Sequence, residues 1–141
     1  MTGFEMFWPL LAHVLLVYIL YGVLGLRRGK AVREGRMKKS GYRENRDEPP
    51  ECLFVKNNLA NQFELPVVFY ALVVLLVATN KVTTIDIVAA WLFVAGRVIH
   101  TLVQTLTDNV PLRGQVFLIN FAGVAVLAGH VALLALDGLW R

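Results

Sequence analysis

Four long apolar stretches separated by polar segments predict four membrane-crossing helices. They run from about Met6 to Leu26, Leu59 to Thr79, Ile85 to Leu106 and Val116 to Leu136. Each holds about 20 residues, which at ~1.5 Å per residue spans a hydrocarbon core of ~30 Å. Two stretches carry polar interruptions. The uninterrupted apolar part of the second, Leu65 to Ala78, covers only ~21 Å as a helix, so the crossing must begin further back and draw in Asn61 and Glu64. In the third, the run from Ile87 to Gly96 is also short, so the crossing includes Arg97 and His100. An Arg in the middle of a membrane helix costs roughly 2.5–3.5 kcal/mol on insertion scales, and such a residue needs a partner.

The interruptions are periodic. Asn57, Asn61 and Glu64 recur at i, i+4, i+7, and Arg97, His100 and Gln104 at i, i+3, i+7, so each set occupies one helical face. The second span enters the membrane on the side where the third leaves it. The two faces are therefore expected to meet at a common depth, with Glu64 as counter-ion for Arg97 or for a bound cationic group. Pro66 removes a backbone donor nearby and is expected to kink the second helix.

Composition supports this all-α membrane bundle. With 57% hydrophobic and 17% charged residues and a mean hydropathy of +0.58, a soluble 141-residue domain would lack polar surface, so the apolar surplus must face lipid. Residues 1–141 read as one four-helix domain with a basic loop at 27–58. The first span lacks the basic leader and cleavage site of a signal peptide. Of the 14 Lys and Arg residues, ten lie between Arg27 and Lys56. Arg113 falls on the same side, with only Lys81 and Arg141 opposite, so the positive-inside rule puts the loop in the cytoplasm and both termini outside. The pI of about 9.5 thus belongs mostly to one loop. That argues for anionic membrane lipids, at about 1 kcal/mol per cation, and against nucleic acid. The single cysteine, Cys52, excludes an intrachain disulfide and should stay reduced. His13 and His130 stand alone in the outer two spans and, with Asn120, read as interhelical hydrogen-bonders, so no metal site is expected. Trp8, Trp91 and Trp140 read as interfacial anchors, and Gly22, Gly25 and the Gly123/Gly129 region as sites of close helix packing.

The ordered motifs resemble a known family. Arg97-Val98-Ile99-His100-Thr101, with Gln104 and then Arg113 sixteen positions after Arg97, is similar to the third-helix motif of the MAPEG family. Its members are small integral membrane proteins of eicosanoid and glutathione metabolism, including the microsomal glutathione transferases. Asn61-Gln62-Phe63-Glu64 with Pro66 resembles the family's second-helix N-x-x-E element, and Arg27-Arg28 its arginine pair at the end of the first span.

This resemblance implies a bacterial-type member of a homotrimeric bundle, in the bacterial inner membrane, with glutathione bound as co-substrate between subunits on the cytoplasmic side. It implies a transferase or peroxidase acting on lipophilic electrophiles. Asn61 and Glu64 would hold the peptide and α-amino group of glutathione, Arg97 would brace the site, His100 and Gln104 would line it, and Arg113 would stabilise the thiolate. Arg27 and Arg28 share a claim on the ligand. The chain departs from the pattern where Asn57 replaces a usual Arg, Leu65 a frequent Tyr, and Gln104 a common Tyr. Lys56, beside Asn57, offers a replacement cation without the bidentate fork of arginine. The rival reading is a non-enzymatic scaffold or regulatory bundle whose polar residues serve assembly only. A channel or transporter fits less well, because broken-helix pairs are missing from corresponding positions.

Overall fold

In the computed structural model, residues 3–44 and 46–139 are described, so the expected anchor Trp140 and the terminal Arg141 lie outside the described residues. After a single 3-10 turn at Phe4–Met6 come six helices: α1 (Phe7–Arg33), α2 (Lys39–Glu44), α3 (Pro50–Asn61), α4 (Leu65–Ala78), α5 (Thr84–Leu106) and α6 (Val110–Leu139). No strand occurs among the described residues. Among the described residues, four segments are long and apolar enough to cross a membrane: Phe4–Arg33, Pro50–Ala78, Thr84–Leu106 and Val110–Gly138.

The helix ends follow local chemistry. Gly35 adopts φ +69°, its N–H bonds the Val32 carbonyl at 3.1 Å, and the Arg36 N–H bonds Ala31 at 3.0 Å, closing α1 in a Schellman motif. Asn80 repeats this after α4, at φ +56°. Helix α5 then opens on a capping box, in which the Asp86 carboxylate accepts from the Thr83 N–H at 2.7 Å. Helix α6 opens with the Asn109 side chain accepting from the Leu112 N–H at 2.9 Å, and Pro111 sits in its first turn, where a missing donor costs little. Arg113, expected in a connecting loop, is therefore helical.

The second crossing differs from the expected single helix. It breaks at Gln62-Phe63-Glu64, where Glu64 lies at φ −100°, ψ −104°. Pro66, two residues on, lacks the N–H that would bond the Gln62 carbonyl, so a continuous ladder is lost there. Helix α4 alone has 14 residues, too few for ~30 Å of hydrocarbon, so the last turns of α3 complete the crossing.

Two apolar clusters build the core. Phe69, Leu76, Phe93 and Leu127 lead one, with Phe69 and Phe93 stacked at 4.2 Å between centroids. Leu20, Leu24, Cys52 and Val55 lead the other, at the basic end of the bundle. Along α1, buried His13 falls between Met6 of the first cluster and Leu20 of the second. Trp8 and Trp91 are exposed on the bundle surface, as anchors require.

Helices α5 and α6 approach closely at two glycines. A Cβ on Gly123 would stand 2.8 Å from the Ala89 carbonyl oxygen, and one on Gly96 would overlap the Asn120 side chain. Gly22, Gly25 and Gly129, expected in close packing, face open space within the chain. Gly123→Ala is therefore expected to force the helices apart and cost about 1–3 kcal/mol as overpacking. Gly129→Ala should be neutral or slightly stabilising through helix propensity. Thermal unfolding of the two variants in detergent separates a packing role from a flexibility role.

Candidate functional site

Where α3 ends, α5 and the first turns of α6 enclose a cleft of about 530 Å3. Its walls carry Asn57, Asn61 and Glu64 from the second crossing, His100 and Gln104 from α5, and Arg113 and Phe117 from α6. A smaller recess of about 290 Å3 shares Asn57, Gln104 and Arg113. The two polar faces expected from periodicity thus meet, and Arg113 of α6 joins them.

Behind the cleft wall lies a buried polar layer. Asn58 donates to the Gln104 side-chain oxygen at 2.8 Å, and Asn61 donates to the same oxygen at 3.3 Å. Thr101 donates to the Asn58 side-chain oxygen at 3.0 Å, and Gln62 donates to that oxygen at 3.0 Å. The Gln62 carbonyl accepts from Arg97 Nε at 3.1 Å and lies 3.0 Å from His13 Nε2. Because that carbonyl can only accept, His13 carries its proton on Nε2, which leaves Nδ1 to accept from the Tyr70 hydroxyl at 2.6 Å. Gln62 is the hub that joins α1, α3 and α5. His13 bonds across helices as expected, and so does His130, whose Nδ1 lies 2.9 Å from the Asp86 carboxylate. Asn120 does not: it is fully buried, yet neither of its amide atoms has a hydrogen-bond partner among the described residues.

Arg97 shows the clearest departure from expectation. No ion pair joins it to Glu64 among the described residues. Fully buried, it donates to Gln62 and, through Nη2, to the Asn61 carbonyl at 3.0 Å. Asn61 is the last residue of α3, so its carbonyl has lost its intrahelical donor and sits at the negative end of the helix dipole. The helix terminus takes the place of a carboxylate. The same break turns Glu64 outward to the cleft, exposed and without an ion pair among the described residues. Arg97 stands behind the cleft rather than on it, with Nη1 unpartnered among the described residues.

His100 faces the cleft, packs edge-on against Phe117 at 6.0 Å, and keeps its buried Nδ1 without a partner among the described residues. Arg113 is half-buried, and its guanidinium makes no ion pair among the described residues. The cleft therefore presents one unpaired cation, one unpaired carboxylate, three amides and an unsatisfied imidazole nitrogen.

The remaining candidates lie elsewhere in the chain. Arg27 donates to the Glu51 backbone carbonyl at 2.7 Å. Arg28 pairs with Glu48 at 2.7 Å and lies over the Tyr42 ring at 4.7 Å, while Lys56 reaches Glu48 at 3.2 Å. These three cations tie the basic segment to the ends of α1 and α3. Lys56 therefore does not stand in for an arginine at Asn57.

Sequence reading missed Gln62, Asn58 and Thr101. Their signal was present: Asn58 and Gln62 at i, i+4 form a stripe matching Arg97 and Thr101 at i, i+4. No group of three or more His, Cys, Asp or Glu able to hold a metal occurs among the described residues. No curated protein and no solved structure matches the chain. A protein-family model described as the MAPEG family matches residues 6–133.

Proposed function

The chain belongs to the MAPEG family, and on that premise we propose that its cleft binds glutathione for transfer to, or peroxide reduction of, lipophilic compounds that arrive through the membrane. Membership itself makes this an integral, multi-pass membrane protein of a family associated with glutathione and eicosanoid chemistry. The observation that carries the finer reading is the charge inventory of the cleft.

The donor set fits the tripeptide in part. Glu64 suits the α-ammonium group, while Asn57, Asn61 and Gln104 suit the peptide groups. Arg113 suits a thiolate, and the orphaned His100 nitrogen adds one more polar contact. At about 530 Å3 the cleft falls inside the ~300–1,000 Å3 range of small-molecule sites. Glutathione also has two carboxylates, and one cation cannot serve them and the thiolate together. That shortfall supports a site shared between subunits, as in a homotrimer, where Arg27 or Arg28 of the assembly would supply the missing charge. The site would face the cytoplasm, with the basic segment on that side of a bacterial inner membrane.

In the transfer step the thiol proton leaves to water, the thiolate sulfur forms a bond to the electrophilic carbon, and the leaving group departs with its electron pair. A free thiol ionises near pH 8.5, so an adjacent cation raises the thiolate fraction at neutral pH. Arg113 would act by electrostatics, with no proton of its own to move.

A second reading, a non-enzymatic scaffold, draws on the Gln62 layer, whose side chains bond one another across α1, α3 and α5. Calorimetric titration of the detergent-solubilised chain with glutathione separates the two. Binding at or below millimolar concentration, lost in Glu64→Gln with the oligomer intact, supports the enzyme. Absence of binding in an intact oligomer supports the scaffold.

A further inference from the structure

A second cleft, of about 460 Å3, opens at the end of α1 against α2, and of its lining residues the glutathione reading uses only Arg28. One end is apolar: Leu26, 73% exposed, and Val32 flank Gly25 and Gly29, where an added Cβ would meet nothing within 4 Å. The helix backbone itself forms the floor. The other end is cationic, with Arg28, Arg33, Lys39 and the ring of Tyr42.

Several neighbouring cations already have a carboxylate. Arg28 pairs with Glu48, Lys30 with Glu34, and Arg36 with Glu34 and Glu51. Arg33 and Lys39 have no ion pair among the described residues, and both line the cleft. Tyr42 holds the cationic wall in place, its hydroxyl donating to the Arg28 carbonyl at 3.3 Å under the Arg28 guanidinium. The place thus joins two uncommitted cations to an apolar trough. That trough lies on the last turns of a helix apolar enough to span the membrane.

We propose that this cleft is a binding site for one anionic phospholipid, its phosphate held by Arg33 and Lys39 and its acyl chain lying along α1 over Gly29 and Gly25. Charge complementarity selects the headgroup. The apolar end, on a membrane span, selects a lipid over a soluble anion. A second copy of the same surface is disfavoured, because its cations would face these.

The test uses the full chain in a neutral detergent, with bound lipids counted by native mass spectrometry. Phosphatidylglycerol and phosphatidylcholine of matched chains are compared. The wild type is expected to retain one phosphatidylglycerol per chain in preference to phosphatidylcholine. Arg33→Ala with Lys39→Ala should weaken that retention roughly thirtyfold, the loss of two headgroup-facing cations. Lys38→Ala with Arg43→Ala removes the same charge off the cleft and should change it less than about threefold. Gly29→Leu keeps every charge but fills the floor, and should also weaken retention, so the assignment is testable even where the double variant misfolds. Equal loss in both double variants would mean a diffuse cationic coat and overturn the site, as would equal retention of the two lipids or an unaffected Gly29→Leu. Displacement by millimolar inorganic phosphate as effective as by short-chain phosphatidylglycerol would reassign the cleft to a soluble anion.

Discussion

Arg113→Ala is expected to lower glutathione conjugation of a chlorodinitrobenzene-type electrophile by about 10²- to 10³-fold, the usual cost of removing one preorganised donor from a developing or full negative charge. The bundle should survive. The side chain is half-buried and makes no ion pair among the described residues, and its helical position is capped by Asn109 rather than by its own guanidinium. Nothing else in the cleft wall supplies positive charge, since Arg97 is turned to the Asn61 carbonyl and Lys56 to Glu48. The pH profile gives the mechanism away. A cation beside the thiol depresses its ionisation, so its removal should move the rate–pH curve to higher pH, toward the ordinary thiol range near 8.5. Arg113→Lys keeps the charge but loses the fork, and should fall between the two. A variant as fast as wild type, or one whose lost rate follows a lost melting transition, removes Arg113 from the chemistry.

How much of this was legible beforehand differs between crossing and detail. Hydropathy located all four spans, because it measures the one property the bilayer demands. It placed their ends poorly. Helix α6 begins at Val110 and α3 at Pro50, well outside the apolar runs, because backbone hydrogen bonding continues through polar residues such as Arg113 and Lys56. The cleft was legible because a period of 3.6 residues puts Asn57 with Asn61, and His100 with Gln104, on single faces, and antiparallel neighbours bring those faces to one depth. The partner of Arg97 was not. A search for opposite charge finds Glu64, whereas the structure answers a buried cation with the dipole and spare carbonyl of a broken helix. That solution exists only once the break between α3 and α4 is known, and Pro66 signals a disturbance without saying on which residue the ladder parts. The glycines teach the same lesson. Gly96 and Gly123 face a neighbouring helix, Gly22 and Gly25 do not, and composition alone does not reveal the face.

The break also makes the bundle depend on one uncharged residue, and Gln62→Leu is expected to be the most destabilising substitution in the polar layer. Leucine nearly matches the volume, so the loss is of hydrogen bonds rather than packing. It strands Arg97 Nε and His13 Nε2 as donors and takes a donor from Asn58, all buried. Single polar pairs between membrane helices contribute only ~0.6 kcal/mol on average, which taken over the hub's bonds to Arg97, His13 and the Asn58 side chain sets a floor near ~2 kcal/mol. An unsatisfied buried group costs ~1–3 kcal/mol, and more when charged, which puts the expected loss at about 3–4 kcal/mol. Gln62→Glu separates the terms: its carboxylate still accepts from Arg97 and His13 and adds a direct ion pair, while the donations to Asn58 and Thr101 are lost. Thermal unfolding in detergent should therefore show a large fall for leucine and a small one for glutamate. Two equal small shifts would mean that the layer is already served by other partners. Two equal large shifts would place the weight on the Asn58 donation, making the amide wall of the cleft, and not the arginine behind it, the element that Gln62 supports.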